Sequence, residues 1–323
     1  MSSFAASPEP TLRSLFVSVY LPTFLFGAGQ GAVVPIVALV AKDLGATVAV
    51  AGLIVAVRGI GTLVFDLPAG ALVARLGDRR AMVVASGLLL VSLAGCLVAR
   101  SVVLFSGFMF LMGCAWSVWL LARLAYVADV MPDHLRGRAL STLGGMMRVG
   151  NFVGPLVGAA AIAVVGLDGP YYVHLAFAVA GLLVLFMVPD ASDETVLAHA
   201  PVGFRTIARA HTSVWASAGI GALCIGVLRA CRPVVLPLWA VHVGVDATGV
   251  SLIFAVSSAM DMVLFYPAGS VSDRWGRKFV ALPCMTLLAL GFAVLPLSHS
   301  FTTLLLVGLV LGFGNGLGAG IVM

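Results

Sequence analysis

The chain has 323 residues, 61% hydrophobic and 10% charged, with 18 Lys and Arg against 13 Asp and Glu and a mean hydropathy of +1.14. A soluble domain carries about 25% charged residues, so this composition excludes a soluble fold and places the chain in a lipid bilayer. The net charge of +5 does not indicate nucleic acid, because the basic residues are dispersed over many short loops and form no single patch.

Ten apolar blocks follow one another at 15–41, 47–74, 81–99, 102–128, 140–165, 171–188, 214–240, 249–271, 279–297 and 301–323. About 20 apolar residues cross a hydrocarbon core of roughly 30 Å. Boundaries read this way are good to about four residues. Lipid offers no partner for unpaired backbone groups, so the blocks are predicted to be helices. The alternating polarity of barrel strands is absent. The first block is too long for the apolar region of a cleavable signal and lacks a clear cleavage site.

An N-terminus inside the cell puts Arg13, Arg75, Arg79, Arg80, Arg136, Arg138, Arg205, Arg209, Arg274, Arg277 and Lys278 in cytoplasmic segments and leaves only Lys42 and Arg100 outside. Eleven against two is a strong positive-inside bias, and it accounts for the sequence pI of about 9.2. The longest polar stretch, 189–211, follows the sixth block and reads as a cytoplasmic linker between halves. Within it, residues 202–209 stay open between a short interfacial helix and a solvated loop. The expected division is 1–188, a six-helix half; 189–213, the linker; and 214–323, four helices of a second half. Cys96, Cys114, Cys224, Cys231 and Cys284 all lie inside apolar blocks without metal-ligand spacing, so they read as small buried hydrophobes. No cofactor and no metal site is expected.

Part of the chain occurs twice. Leu53-Ile54-Val55-Ala56-Val57 returns as Leu252-Ile253-Phe254-Ala255-Val256, Pro68-Ala69-Gly70 as Pro267-Ala268-Gly269, and Arg75-Leu76-Gly77 as Arg274-Trp275-Gly276, always 199 residues later. An offset of that size means two similar halves, not a solenoid. Duplicated halves in a membrane chain are a common plan for secondary transporters.

The second copy carries more than topology requires. Gly269-Ser270-Val271-Ser272-Asp273-Arg274-Trp275-Gly276-Arg277-Lys278 resembles the signature loop of the major facilitator superfamily, G-x-x-x-D-R-x-G-R-K. Gly70 to Arg79 stands where that family has its first copy. Gly150-Asn151-Phe152-Val153-Gly154-Pro155-Leu156-Val157-Gly158 in block five resembles the family's antiporter signature, G-x-x-x-G-P-x-x-G, and Tyr126-Val127-Ala128-Asp129 with Arg136-Gly137-Arg138 resembles the end of helix four and its loop. The resemblance covers nearly the whole chain. It implies an all-α fold of two pseudo-symmetric six-helix halves, small-molecule transport, and loops that act as cytoplasmic gate latches. It implies a monomer in the bacterial cytoplasmic membrane, with protons and a small-molecule substrate as partners. The family has twelve helices and this chain reaches the tenth, so the resemblance implies a truncation. The first loop departs from the pattern, with Ala74 at the usual Asp and Asp78 at a usual basic position. The Arg often found early in helix four is Met109 here.

The physical reading stands beside the resemblance. Loop guanidinium groups pair with carboxylates or helix C-termini, and Asp129 is a candidate partner for Arg75 or Arg79. Gly150, Gly154 and Gly158 share one helix face and allow close packing, and Pro155 removes an internal hydrogen bond. A sealing role in the transport path stays open beside mere packing.

Charges inside the blocks are the site candidates: Arg58, Asp66, Arg123, Arg148, Arg229, Arg232 and Asp261. A charge in a membrane helix is costly unless it meets a cavity or a partner, so function is the default reading. Asp261 and Arg148 lie deepest, and Asp261 is the expected proton-coupling acid. Asp66 and Arg123, nearer the cytoplasmic ends, are open to snorkelling or structural pairing. Asn151, Gln30 and Ser257 are weaker candidates for substrate contact. The expected activity is proton-coupled efflux of a hydrophobic compound. Five intramembrane Arg against two Asp keep an organic anion open as substrate, and a transport-incompetent sensor or remnant is the alternative of another class. No Ser-His, metal or paired-carboxylate constellation suggests an enzyme.

Overall fold

The computed structural model describes residues 15–187 and 220–318. The expected linker, Arg13, Arg205, Arg209 and the last five residues of the tenth block lie outside these. The described residues form ten helices and no strand: α1 (Phe16–Asp43), α2 (Val48–Leu76), α3 (Asp78–Val98), α4 (Val102–Val130), α5 (Asp133–Val165), α6 (Gly169–Met187), α7 (Ile220–His242), α8 (Ala247–Trp275), α9 (Lys278–Leu297) and α10 (Phe301–Leu317). Nine are long and apolar enough to cross a membrane. The 17 residues of α10 rise about 25 Å at 1.5 Å per residue.

The main departure from the sequence reading is the start of α5, at Asp133 instead of 140. Its first two turns are polar, so hydropathy does not register them. They are held as helix by Asp133 in the first turn, favourable to the helix dipole, and by the i,i+3 pair of Asp133 with Arg136 at 2.9 Å. α1 is irregular at both ends, with a π turn at Phe16–Tyr20 and a 3-10 turn at Val34–Ile36. Pro35 lies in the second turn and lacks the N–H that a regular helix would use.

The duplication is written into the backbone. Gly45 and Gly244, 199 residues apart, both have φ +91°, and Gly77 and Gly276, also 199 apart, have φ +78° and +94°. Glycine alone enters that region without strain, so each copy ends its helices with the same device. The caps repeat in register too. Thr47 and Asp246 accept from Val50 N and Gly249 N, and Ser101 and Ser300 accept from Leu104 N and Thr303 N.

Close packing repeats in turn. A methyl group on Gly113 of α4 would strike the Arg58 carbonyl of α2, and one on Gly312 of α10 would strike the Ser257 carbonyl of α8, again 199 residues on. Small residues thus bring α2 against α4 and α8 against α10 at backbone distance. In the first half a similar seam joins α1 to α5. Gly150, Gly154 and Gly158 face Phe24, Ala28 and Ala32, while Gly27 and Gly31 face Met147, Asn151 and Pro155.

Two hydrophobic cores result. One is formed by α1 to α6 and the other mainly by α7 to α10, but Leu39, Val34 and Leu167 of the first half pack into the second core. The halves therefore touch near the chain-reversing loops at 44–47 and 243–246, and α5 packs along α8. Many large apolar side chains face outward, among them Leu63, Leu67, Val164 and Tyr266. Such a surface suits lipid, not water.

Candidate functional site

Four of the seven charged candidates come together where the halves meet. Arg148 lies near the midpoint of α5, Arg229 and Arg232 near the middle of α7, and Asp261 halfway along α8. The Arg148 guanidinium Nε is 3.7 Å from Asp261 Oδ1, an ion pair between the first half and the second. Both side chains are about 85% covered, with 15% and 14% exposure. The Arg148 guanidinium also lies 4.1 Å over the Phe265 ring, a favourable cation–π placement.

Helix geometry explains why Arg148 is free to reach across. Two residues turn an α-helix by about 200°, so Arg148 stands on the face opposite Gly150. The glycine face is spent on α1, and the arginine face turns to α8. Gly316 of α10 makes room on the other side, because a methyl group there would lie 3.0 Å from Asp261 Cα.

Arg229 donates from Nη2 to the Asn315 carbonyl at 2.8 Å, and a methyl group on Gly318 would lie 2.7 Å from that same nitrogen. Arg232 is 8% exposed, stacks at 5.3 Å on Phe254, and has no hydrogen-bond partner for its Nε. Arg229 and Asp261 both lie within electrostatic reach of Arg148 and of Arg232. Among the described residues Asp261 is the only carboxylate that these three arginines are shown to face.

The remaining charged candidates lie in the first half. Arg58 is half-buried and within electrostatic reach of Tyr171 and His174 of α6. Asp66 is on the exposed side of α2 and accepts from the Ser117 hydroxyl at 2.5 Å. Arg123 does not snorkel. It is 4% exposed, donates to Thr23 Oγ1 at 3.1 Å, and lies 4.2 Å over Trp119, on which Phe26 stacks. Its role is to tie α1 to α4.

The loop residues fall at the two glycine turns. Gly70 and Arg75 end α2 before Gly77; Gly269, Asp273 and Arg274 end α8 before Gly276; Arg277 and Lys278 start the next helix. The expected pairing of Asp129 with Arg75 or Arg79 is not formed. Asp129 is exposed and holds no ion pair among the described residues, whereas Arg79 donates from Nη2 to the Leu185 carbonyl at 2.7 Å. A cation near the last turn of α6 is the helix C-terminus option of the sequence reading.

Ser257 is fully buried with an unpartnered hydroxyl under Gly312, so it belongs to the α8–α10 seam. Asn151 packs against Gly31. Cys96, Cys114 and Cys284 are buried as expected, but Cys224 is exposed on α7. Sequence reasoning missed Phe254, Phe265, Ser117 and the glycine face of α10. It also missed His174, 1% exposed with both ring nitrogens unpartnered and its ring pressed against Gly29. The 199-residue register would have located the glycine face, since it carries Gly113 onto Gly312.

Comparison with known proteins gives a consistent picture. The family model described as Major Facilitator Superfamily matches residues 19–228 and 218–323. The uncharacterized MFS-type transporter YfkF of Bacillus subtilis (strain 168) is 23% identical over 286 residues, which is 87% of this chain and 72% of YfkF. The quinolone resistance protein NorA of Staphylococcus aureus (strain MRSA252) is 28% identical over 160 residues, 45% of this chain and only 37% of NorA. Among solved structures, a bacterial homolog of the human lysosomal transporter Spinster, inward-facing and unoccupied, aligns with a TM-score of 0.76 at 14% identity, covering 98% of this chain and 75% of that one. A D-xylose–proton symporter aligns with a TM-score of 0.72 at 18% identity, covering 94% of this chain and 80% of the symporter. At these identities the structural likeness speaks for the fold alone.

Proposed function

The chain belongs to the major facilitator superfamily, a family of transporters and not enzymes, and we propose that it exports a small molecule with an apolar body in exchange for protons, by alternating access. The observation that carries this reading is the Arg148–Asp261 pair, which joins the two halves at the middle of the membrane. Among the described residues, Asp261 is the one carboxylate in a cluster otherwise made of arginines. When charged it holds α8 to α5 through Arg148. When it takes a proton the attraction is lost, and the halves can rock apart about their packed ends. Substrate and proton thus compete for one charged junction, which is the physical basis of exchange.

Supporting features are the rigid glycine seams, which let each half move as a body, and the packing of Leu39, Val34 and Leu167 into the second core at one end of the interface. With the N-terminus cytoplasmic, that end is external. The functional units are 1–188 and 214–323, joined by 189–213. The protein works as a monomer in the cytoplasmic membrane. NorA, named for quinolone resistance, lends export its plausibility.

The test is accumulation of an apolar fluorescent dye in proteoliposomes under an imposed proton gradient. Uptake in the direction opposite to proton flow, abolished by a protonophore, is expected. Flux indifferent to the gradient would overturn the exchange reading.

A further inference from the structure

Asp261 stands between two arginines, one from each half, and each of them rests on a ring of the helix that carries Asp261. Arg148 of α5 lies 4.1 Å over Phe265, and Arg232 of α7 lies 5.3 Å from the Phe254 ring. Phe254, Asp261 and Phe265 share one face of α8, since seven residues turn a helix by about 700° and four by about 400°. Along that face Phe265 is about 6 Å to one side of Asp261 and Phe254 about 10.5 Å to the other. The Arg148 contact crosses between the halves at 3.7 Å and is the one ion pair Asp261 forms among the described residues. Arg232 belongs to the second half and is within electrostatic reach of the same carboxylate. Asp261 Oδ1 and the Nε of both arginines are buried without a hydrogen-bond partner among the described residues, so neither arginine has closed on the acid. Arg229, the third cation, is tied through Nη2 to the Asn315 carbonyl of α10. Of the other elements packed on Asp261, α9 brings Cys284 within electrostatic reach, and α10 brings Gly316.

Exchange sets a requirement that one pair does not meet. The proton that Asp261 takes up in one conformation must leave in the other, so the charged carboxylate needs a counter-charge in both. Arg148 supplies it only while α5 and α8 are together at this level. With Arg148 as sole partner, the acid would stay protonated after the halves part, and the proton would ride back. We propose that Arg232 is the second partner of Asp261: as the halves part, Arg232 leaves Phe254, takes the carboxylate within the second half, and the proton departs to the water of the side then open. On the return movement the charged carboxylate goes back to Arg148. The inference rests on Asp261 being the proton site of exchange and adds the group that releases the proton. Arg232 is a positioning residue, since it acts through Asp261.

The test is an infrared titration of the purified full chain in liposomes, with no gradient and no substrate. The carboxylic C=O band that Asp261→Asn removes reports the protonated acid. Arg232→Gln is expected to raise the proton affinity of Asp261 at least about threefold more in an Arg148→Gln background than alone, because Arg148, when present, covers for the loss. Two fixed charges acting independently would give equal effects in both backgrounds. Arg232→Lys in the Arg148→Gln background should keep most of the low proton affinity, which a purely structural role does not require. Because Arg232→Gln can fail to fold, Phe254→Leu in the same background supplies a second arm. It removes the ring that competes for Arg232 and should lower the proton affinity about threefold. Equal effects of Arg232→Gln in the two backgrounds, an unchanged or raised affinity with Phe254→Leu, or no band lost in Asp261→Asn would each overturn the proposal. Exchange itself is judged by gradient-driven dye flux, so equal effects in the titration beside intact exchange would remove Arg232 alone.

Discussion

Replacing Asp261 by Asn keeps the volume of the side chain and removes the carboxylate facing Arg148. At their 3.7 Å separation and an effective dielectric of about 20, the attraction lost is roughly 4.5 kcal/mol. That agrees with the roughly 3–5 kcal/mol cost of removing one partner of a buried pair. The cost arises because Arg148 is left at mid-membrane without a counter-charge, with only the Phe265 ring and a long hydrogen bond to the Gly144 carbonyl at 3.4 Å beside it and with Arg229 within repulsive reach. Arg148→Gln should be milder, and the double variant should recover much of the loss, since it leaves no orphan charge. Equilibrium unfolding in mixed micelles, followed through the five tryptophans, gives the four corners of the cycle. A coupling of about 2 kcal/mol or more is expected. A coupling below about 0.5 kcal/mol, the level at which independent sites add, would show that the pair does not join the halves.

Three further outcomes follow from the same structure. Gly154→Leu and Gly312→Leu should each lose at least about 1–3 kcal/mol through overpacking, because both glycines meet the backbone of the neighbouring helix; Gly145→Leu, with open space at its Cβ, is the control, and equal loss there would refute the seam argument. Asp273→Asn should depress transport far more than Ala74→Asp, since only the second loop keeps the full pattern, and normal flux by Asp273→Asn at normal expression would contradict it. In a cysteine-free background, an impermeant thiol reagent applied from outside should label Asp168→Cys and His299→Cys but not Asp193→Cys; labelling at 193 would invert the topology.

The sequence made the fold legible because lipid imposes one rule on every span. Helices must pair their own backbone groups, and their apolar lengths are set by the bilayer. The rule blurred only where a helix left the membrane, as at Asp133, whose polar turns carry no hydropathy signal. The 199-residue repeat was read from a few residues, yet it extends to caps, glycine turns and helix seams that no single motif announces. Burial of charge was legible too, and it singled out Arg148 and Asp261. Which charges meet was not, because pairing depends on helix rotation and on the packing partner. Arg123 met a threonine and a tryptophan, Asp66 a serine, and Arg79 a helix end in place of Asp129. The glycines of α5 face α1 and leave the opposite face for α8, which explains why Arg148 reaches the other half.

The most direct test of the account separates coupling from passage. Wild-type protein and Asp261→Asn are reconstituted into the same liposomes, and dye flux is measured first under a proton gradient and then downhill, with no gradient. The account predicts that Asp261→Asn loses gradient-driven accumulation and keeps a substantial part of downhill flux, because the path remains and the proton acceptor is gone. Gradient-driven accumulation at the wild-type level would contradict it and remove Asp261 from the mechanism.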